Sequence, residues 1–377
     1  MIFAAACVLS AIGALVFNAF PLFLSVTADQ FALNDAQLGL LGTSYLGGFA
    51  VIALLAPLWM SKLEWRLSGA AGSVLMLSAL VLLGLTSIVD SVYIAMGALG
   101  AGAGIVFTIG LTILSRAADP ERAFGIKLMY EMTFAGILIF VMTKFVIVRF
   151  GFTGFVVGSF LLYLVSTLFV LKLPANFLRR ELTVPAKLAL SHQPKLPTCL
   201  AVFALLIQFA AFSAVWAFME RIGLDNGLDS GFIGTVLTVS IVAGLAGAGL
   251  AAILGNGYGH IAPLVAGLLA TIASVIVLAS LTGATAYVLA ASGINATLQF
   301  TIAYQMGLIA HTDYSGRIAI MIPFFLAVSG GIGPGIAGAV IETSGFAPVY
   351  WGFAIITVVT ILTSIWVGRH EPQAADR

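Results

Sequence analysis

One acidic residue lies deep inside a long apolar stretch of the sequence. Glu131 comes about nine residues into the apolar run 122–148, which is roughly 13 Å along a helix. Lys127 precedes it by one helical turn, so the two side chains can pair on one face. A carboxyl group away from water is either protonated or ionised beside a cation, and such a group can take up and release a proton. A buried carboxyl group that only hydrogen-bonds a neighbouring helix is the alternative interpretation.

A second set of polar residues falls in the apolar run 284–309. Asn295 and Gln299 are four residues apart and share one helical face, and Tyr304 lies on a neighbouring face. A helix that faces lipid would not carry this many polar groups. We therefore expect this helix to form a cavity wall. Interhelical hydrogen bonds are the alternative explanation. The other candidate cavity residues are Asn18, Tyr45, Gln208, Phe212 and Trp216.

Two pairs of residues could take part in conformational change. Glu220 and Arg221 end the apolar run 198–221, where they form either an outer gate above the cavity or an exposed ion pair. Gly333 and Pro334 interrupt the run 315–341. Because proline removes an internal helical hydrogen bond, this pair predicts a hinge, and plain helix packing is the alternative.

Signatures of enzymes and metal sites are missing from the sequence. It contains no phosphate-binding loop, so we do not expect ATP to drive the protein. The four histidines, His192, His260, His311 and His370, are scattered along the chain, so we expect no metal site and no cofactor. No nucleophile set stands out either. We therefore do not expect an enzyme, and a proton gradient is the candidate driving force.

The composition identifies the solvent around most of the chain. Of 377 residues, 61% are hydrophobic and 8% are charged, about a third of the charged fraction usual in a soluble domain. A soluble enzyme, a disordered chain and a disulfide-rich secreted module are excluded, and we expect a lipid bilayer. The formal net charge is +1 and no basic stripe is present, so we expect no nucleic-acid partner.

Twelve apolar runs can each form a membrane-spanning helix, which takes about 20 mainly apolar residues. The first starts without a basic segment and lacks a cleavage pattern, so it is interpreted as a retained span. In order, the first to twelfth spans are 2–26, 36–60, 68–89, 91–116, 122–148, 152–173, 198–221, 230–255, 260–281, 284–309, 315–341 and 347–369.

The distribution of Lys and Arg predicts the orientation, because these residues are enriched in cytoplasmic loops. With the N-terminus inside, the outer side receives only Lys144, Arg149 and Arg221. The inner side receives Lys62, Arg66, Arg116, Arg122, Lys127, Lys172, Arg179, Arg180, Lys187, Lys195, Arg317, Arg369 and Arg377. We therefore expect both termini in the cytoplasm, in a bacterial inner membrane or a plasma membrane.

Weak internal symmetry divides the spans into two halves. Asp35 and Asp229, Asp119 and Asp313, and Gly136 and Gly330 all share an offset of 194 residues. The predicted organisation is a six-helix bundle at 1–174, a basic cytoplasmic linker at 175–197 and a second six-helix bundle at 198–377.

Local sequences resemble the major facilitator superfamily, and at the level of spans the resemblance covers nearly the whole chain. The matching stretches are "ALNDAQLGLLGTSYLGG", "GALGAGAG" followed by "DPERAFGIKL", and "GGIGPGIAGAVIETSGF". The chain departs from the superfamily after the second span, where "APLWMSKLEWR" replaces a Gly-x-x-x-Asp-Arg-x-Gly-Arg motif. The Gly-Pro motif of antiporter branches is also absent from the fifth span. The resemblance implies twelve helices in two pseudo-symmetric bundles, with substrate bound between the halves near the bilayer midplane.

The same resemblance implies a secondary transporter of a small organic solute that works by alternating access, and Glu131 adds proton coupling. An aromatic cavity of low charge favours an amphipathic or weakly acidic molecule. One alternative is an uncoupled facilitator or multidrug-type efflux pump for hydrophobic compounds. Another is a non-transporting receptor or assembly factor with the same fold. We expect a monomer whose partners are substrate, protons and lipid.

Overall fold

The computed structural model describes residues 2–33, 35–60, 62–173, 196–313 and 316–370. Within these ranges the chain is helical and forms no β-strand. The basic linker predicted at 175–197 lies outside the described residues, except that Leu196 and Pro197 begin the helix of the seventh span. The all-α architecture predicted from the sequence is confirmed.

Helices overlap each of the twelve predicted spans. In the first half they are Ile2–Gly13, Leu15–Asn18 and Phe20–Phe31, then Asp35–Leu54 and Ala56–Trp59, then Trp65–Leu85, Val89–Leu114, Pro120–Val141 and Ile147–Thr167. In the second half they are Leu196–Trp216 and Met219–Asp225, then Ser230–Leu254, Ile261–Ser280, Ala284–Thr312, then Arg317–Ile320 and Ile322–Ser344, and finally Ala347–Arg369.

Nine helices in the described ranges are long and apolar enough to cross a membrane, judged by length and composition. One of them, Pro120–Lys172, contains the fifth predicted span and all but the last residue of the sixth. The chain turns between these spans at Gly151, whose φ of 56° and ψ of −146° are not helical. A φ in this region strains a residue that carries a Cβ, which explains why glycine occupies the turn.

The first span consists of three short helices, yet its backbone hydrogen bonds continue across the breaks. Ala14 N donates to Ser10 O at 2.9 Å, and Phe23 N donates to Ala19 O at 3.1 Å. Both bonds have the four-residue spacing of an α-helix. The segment from Ile2 to Phe31 is therefore long enough to cross a bilayer, although its individual helices are short.

Glycines allow neighbouring helices to approach closely at several crossings. A Cβ on Gly100 would collide with the carbonyl oxygen of Tyr45, so the fourth and second spans are in backbone contact there. The same relation joins Gly247 of the eighth span to the carbonyl oxygen of Ala296 in the tenth. Small residues permit this packing where hydrophobicity cannot drive helix association.

Aspartates related by the sequence offset have a common structural role. Asp119 Oδ1 accepts a hydrogen bond from Arg122 N at 2.9 Å, and Asp313 Oδ2 accepts from Ile318 N and Ala319 N at 2.7 and 2.8 Å. Each carboxylate satisfies backbone donors that a helix start leaves unpaired. Asp119 directly precedes the helix that starts at Pro120, and Asp313 lies four residues before the helix that starts at Arg317.

The described residues divide into two compact units. The first unit is drawn from Met1–Leu114, Tyr130–Ser191 and Ile320–Ala327. The second is drawn from Ser115–Met129, His192–Ala319 and Val328–Arg377. The helix of the fifth span therefore contributes residues to both units, with the division falling between Met129 and Tyr130.

Candidate functional site

The carboxyl group of Glu131 is buried in the first unit. Glu131 is 4% exposed, and its Oε1 accepts a hydrogen bond from Ser10 Oγ at 2.9 Å. Ser10 lies on the first-span helix Ile2–Gly13 and is fully buried. A carboxyl group removed from water needs such partners, because an isolated buried charge is costly. The structure therefore places Glu131 against the first span.

Close helix packing holds Ser10 in position. A Cβ on Gly110 of the fourth span would lie 2.7 Å from Ala6 O and 3.0 Å from Ser10 N. Only glycine therefore lets the fourth span press against the first at the level of Ser10. This contact fixes the backbone that presents the hydroxyl group to Glu131.

Lys127 is buried as well, and it belongs to the second unit. Its side chain is 1% exposed, although it lies only one helical turn before Glu131 on the same helix. Lysine side chains usually extend to water, so burial of this one is unusual. Two ionisable residues one turn apart are therefore both removed from solvent.

Two predicted cavity residues, Asn18 and Tyr45, lie in the first unit. Tyr45 is fully buried, and its hydroxyl group donates to Gly13 O at 3.4 Å, close to the turn that carries Ser10. The Asn18 side-chain Nδ2 is buried and has no hydrogen-bond partner among the described residues. An unpaired buried donor costs about 1–3 kcal/mol unless water or a ligand satisfies it.

The polar residues predicted to line a cavity in the tenth span are mostly buried in the second unit. Asn295 and Gln299 both face Gly244 of the eighth span, where a Cβ would lie 2.7 Å from Asn295 Oδ1. Asn295 Oδ1 and Gln208 Oε1 are buried acceptors without a partner in the described ranges. The second unit thus carries two amide groups that could accept hydrogen bonds from a ligand or from water.

Tyr304 lies apart from these amides. It follows Asn295 by nine residues, about 13 Å along the helix. Its hydroxyl group donates to Gly255 O at 2.9 Å, at the end of the eighth-span helix. This contact gives Tyr304 a structural role in joining the eighth and tenth spans.

Aromatic residues form a row along the seventh span. The Phe212 and Trp216 rings stack at a centroid distance of 5.6 Å and an angle of 16°, and Phe209 stacks on Phe212 at 6.0 Å. The predicted gate residues follow this row. Glu220 and Arg221 are both exposed, and the guanidinium group of Arg221 lies 5.9 Å from the Phe218 ring centroid.

The eleventh-span helix runs through Gly333 and Pro334. A Cβ on Gly333 would collide with the Ala210 carbonyl oxygen and the Ser213 hydroxyl group of the seventh span. Ser213 Oγ also donates to Ala210 O at 3.0 Å and to Ser329 O at 3.2 Å. Helix packing therefore accounts for glycine at position 333, and the hinge stays a prediction.

One cluster was missed in the sequence. Glu121, at the start of the fifth-span helix, lies beside His311 and His260, which are far away along the chain. His311 Nε2 and Glu121 Oε1 are 2.9 Å apart although 190 residues separate them. No local motif could have indicated this arrangement, because the contact depends on three helix ends meeting.

Comparison with known proteins identifies the fold of the chain. No family model and no curated protein sequence matches the chain. The outward conformation of the major facilitator superfamily transporter FucP superposes with a TM-score of 0.81, at 17% identity, over 97% of this chain and 98% of FucP. The chain has the major facilitator fold.

Two further structures support the major facilitator fold. A variant of the Escherichia coli fucose:proton symporter FucP has a TM-score of 0.77 at 16% identity, over 97% of this chain and 98% of that one. The human organic anion transporter MFSD10 has a TM-score of 0.74 at 11% identity, covering 96% and 98% of the two chains. The fold expected from the span pattern and local motifs is thus confirmed.

Proposed function

We propose that this protein is a secondary transporter that moves a small organic solute across a membrane by alternating access. The observation that carries the proposal is a major facilitator fold over nearly the whole chain. Within that fold, Asn18, Gln208 and Asn295 each leave a buried polar atom without a partner among the described residues. Such atoms are costly in a purely structural protein, and a polar solute or water can compensate them.

We propose Glu131 as the group that couples transport to protons. Its burial and its hydrogen bond from Ser10 support this role. Intramembrane acidic residues commonly mark ion and proton pathways, because their burial is too costly to persist without a function. Lys127 would influence the charge of the Glu131 carboxyl group, since it is buried one turn away on the same helix.

The fold neighbours suggest which solutes to test first. One is a fucose:proton symporter and another is an organic anion transporter. The amides of Gln208, Asn295 and Gln299 suit hydroxyl and carboxyl groups, and the Phe212–Trp216 stack suits an apolar face. We therefore propose monosaccharides and monocarboxylic acids with an apolar portion as the first substrate classes.

The experiment has two steps. Purified protein is first screened with these solutes for an increase in melting temperature, and each stabilising solute is then tested for flux in proteoliposomes with and without a pH gradient. Saturable flux that a pH gradient accelerates supports the proposal. Saturable flux that ignores the gradient indicates an uncoupled facilitator. Stabilising solutes without any flux would refute transport and indicate a receptor with the same fold.

A further inference from the structure

Three potential metal ligands meet in the second unit. Glu121, His260 and His311 each offer a side-chain atom, and these atoms all lie within 4.8 Å of one another. The two imidazole rings stack with their centroids 5.1 Å apart and an angle of 25°. Glu121 begins the fifth span, His260 precedes the ninth and His311 is near the end of the tenth. The fold thus brings together three residues that are far apart in the sequence. The expectation of no metal site rested on that separation.

The carboxyl group of Glu121 is incompletely satisfied. Glu121 is fully buried, at 0% exposure, and its Oε2 has no hydrogen-bond partner among the described residues. Gly307 makes room for it, since a Cβ there would lie 2.7 Å from Glu121 Oε1. A carboxylate oxygen without a donor is expensive in a water-excluded site, and a bound cation compensates it directly.

The surroundings give a small cation access to the cluster. A cavity of about 300 Å³ opens beside the cluster and is lined by Pro120, His311 and Asp313 among others. The nearby guanidinium group of Arg122 is half exposed, and its Nε lies 3.5 Å from Asp119 Oδ2. Asp119 therefore offsets part of its charge.

We propose that Glu121, His260 and His311 bind a divalent first-row transition metal, with Zn²⁺ as the best fit. Two imidazoles and one carboxylate are a common protein ligand set for Zn²⁺, and water completes the tetrahedron. Bonds of about 2.0–2.1 Å place tetrahedral ligands about 3.3 Å apart. The present separations, 2.9 Å for Glu121 to His311 and at most 4.8 Å overall, bracket that value.

Metal binding at this site would restrict motion. The metal would fix the start of the fifth span to the ninth and tenth spans within the second unit, while the same helix contributes residues to the first unit from Tyr130 onward. Alternating access requires the two halves to move against each other. We expect Zn²⁺ to hold the conformation in which the three ligands meet and so to inhibit flux. This consequence rests on the proposed transport function, whereas metal binding itself does not.

The binding test uses full-length protein without a polyhistidine tag, treated with chelator and titrated with ZnCl₂ by isothermal calorimetry. Wild-type protein should bind one Zn²⁺ per chain, and Glu121→Gln and His311→Ala should each weaken binding at least tenfold. His370→Ala is the matched control and should bind like wild type, because the His370 ring stacks on Trp366 and its Nδ1 lies 2.8 Å from Trp366 O. Wild-type protein that binds no Zn²⁺, or Zn²⁺ binding that His260→Asn and His311→Ala leave unchanged, would overturn the site.

A second variant separates loss of metal binding from misfolding. His260 is partly exposed at a helix start, so His260→Asn should fold normally by size exclusion and melting, yet lose the increase in melting temperature that Zn²⁺ gives wild type. In proteoliposomes, Zn²⁺ should inhibit wild-type flux and spare the His260→Asn variant. If wild type binds Zn²⁺ through these ligands but transports none of the stabilising solutes, the metal site stands and the transport function fails.

Discussion

Replacing Gly333 by alanine tests whether this residue serves helix packing or a hinge. The added methyl group would meet the Ala210 carbonyl group and the Ser213 hydroxyl group, and the Ala210 carbonyl carbon would lie 3.0 Å away. Two of these atoms belong to backbone, which cannot rotate out of the way. The eleventh and seventh spans must therefore separate, and rotation of Ser213 away from the methyl group would also break its hydrogen bonds to Ala210 and Ser329.

The size of the effect follows from these contacts. Overpacking a well-packed helix contact costs about 1–3 kcal/mol, which lowers the ratio of folded to unfolded protein about 5- to 150-fold. Gly335, on the same helix, has no atom within 4 Å of an added Cβ, so Gly335→Ala is the matched control. It should gain about 0.5–1 kcal/mol, because alanine favours the helix over glycine. Because Gly333→Ala gains the same helix preference, the two variants should differ by the overpacking cost alone, about 1–3 kcal/mol.

The assay compares melting temperature and aggregation of both variants in detergent, together with flux in proteoliposomes. We expect Gly333→Ala to melt clearly below wild type, and Gly335→Ala to melt at or above it. A Gly333→Ala variant that melts like wild type but transports slowly would refute the packing argument and favour the hinge.

Two further predictions concern single polar contacts. Asp229 caps the eighth-span helix by accepting from Gly231 N at 2.9 Å and Phe232 N at 3.1 Å, so Asp229→Ala should cost about 1 kcal/mol in a melting assay. The exposed Asp225→Ala variant should cost almost nothing, and equal losses in both would argue against the cap. Ser10→Ala and Glu131→Ala should be less than additive by about 1 kcal/mol in a double-mutant cycle, because each change removes the same hydrogen bond. Strict additivity would show that this bond contributes nothing.

The sequence predicted the spans well because each element follows from a local property. An apolar run of about 20 residues must satisfy its backbone hydrogen bonds internally, so runs such as 260–281 and 347–369 correspond to the helices Ile261–Ser280 and Ala347–Arg369. Asp119 and Asp313 also carried local information, since a carboxylate at a helix start caps nearby backbone donors.

Contacts between distant segments could not be predicted in this way. Glu131 was identified because charge is rare in spans, but its partner Ser10 is 121 residues away and is one serine among many. The Glu121–His311 contact spans 190 residues and has no local signal. The sequence around Gly333 suggested a hinge. The close contact that requires glycine there comes from the backbone of another helix, which the local sequence does not show.

The most direct test of proton-coupled transport through Glu131 is uptake of a stabilising solute into proteoliposomes under an imposed pH gradient. Wild-type protein should accumulate the solute, and Glu131→Gln should lose accumulation while keeping its fold and its solute-induced increase in melting temperature. Glu342→Gln, the same change at an exposed position, should accumulate like wild type. Full pH-driven accumulation by Glu131→Gln would contradict the role of this carboxyl group in coupling.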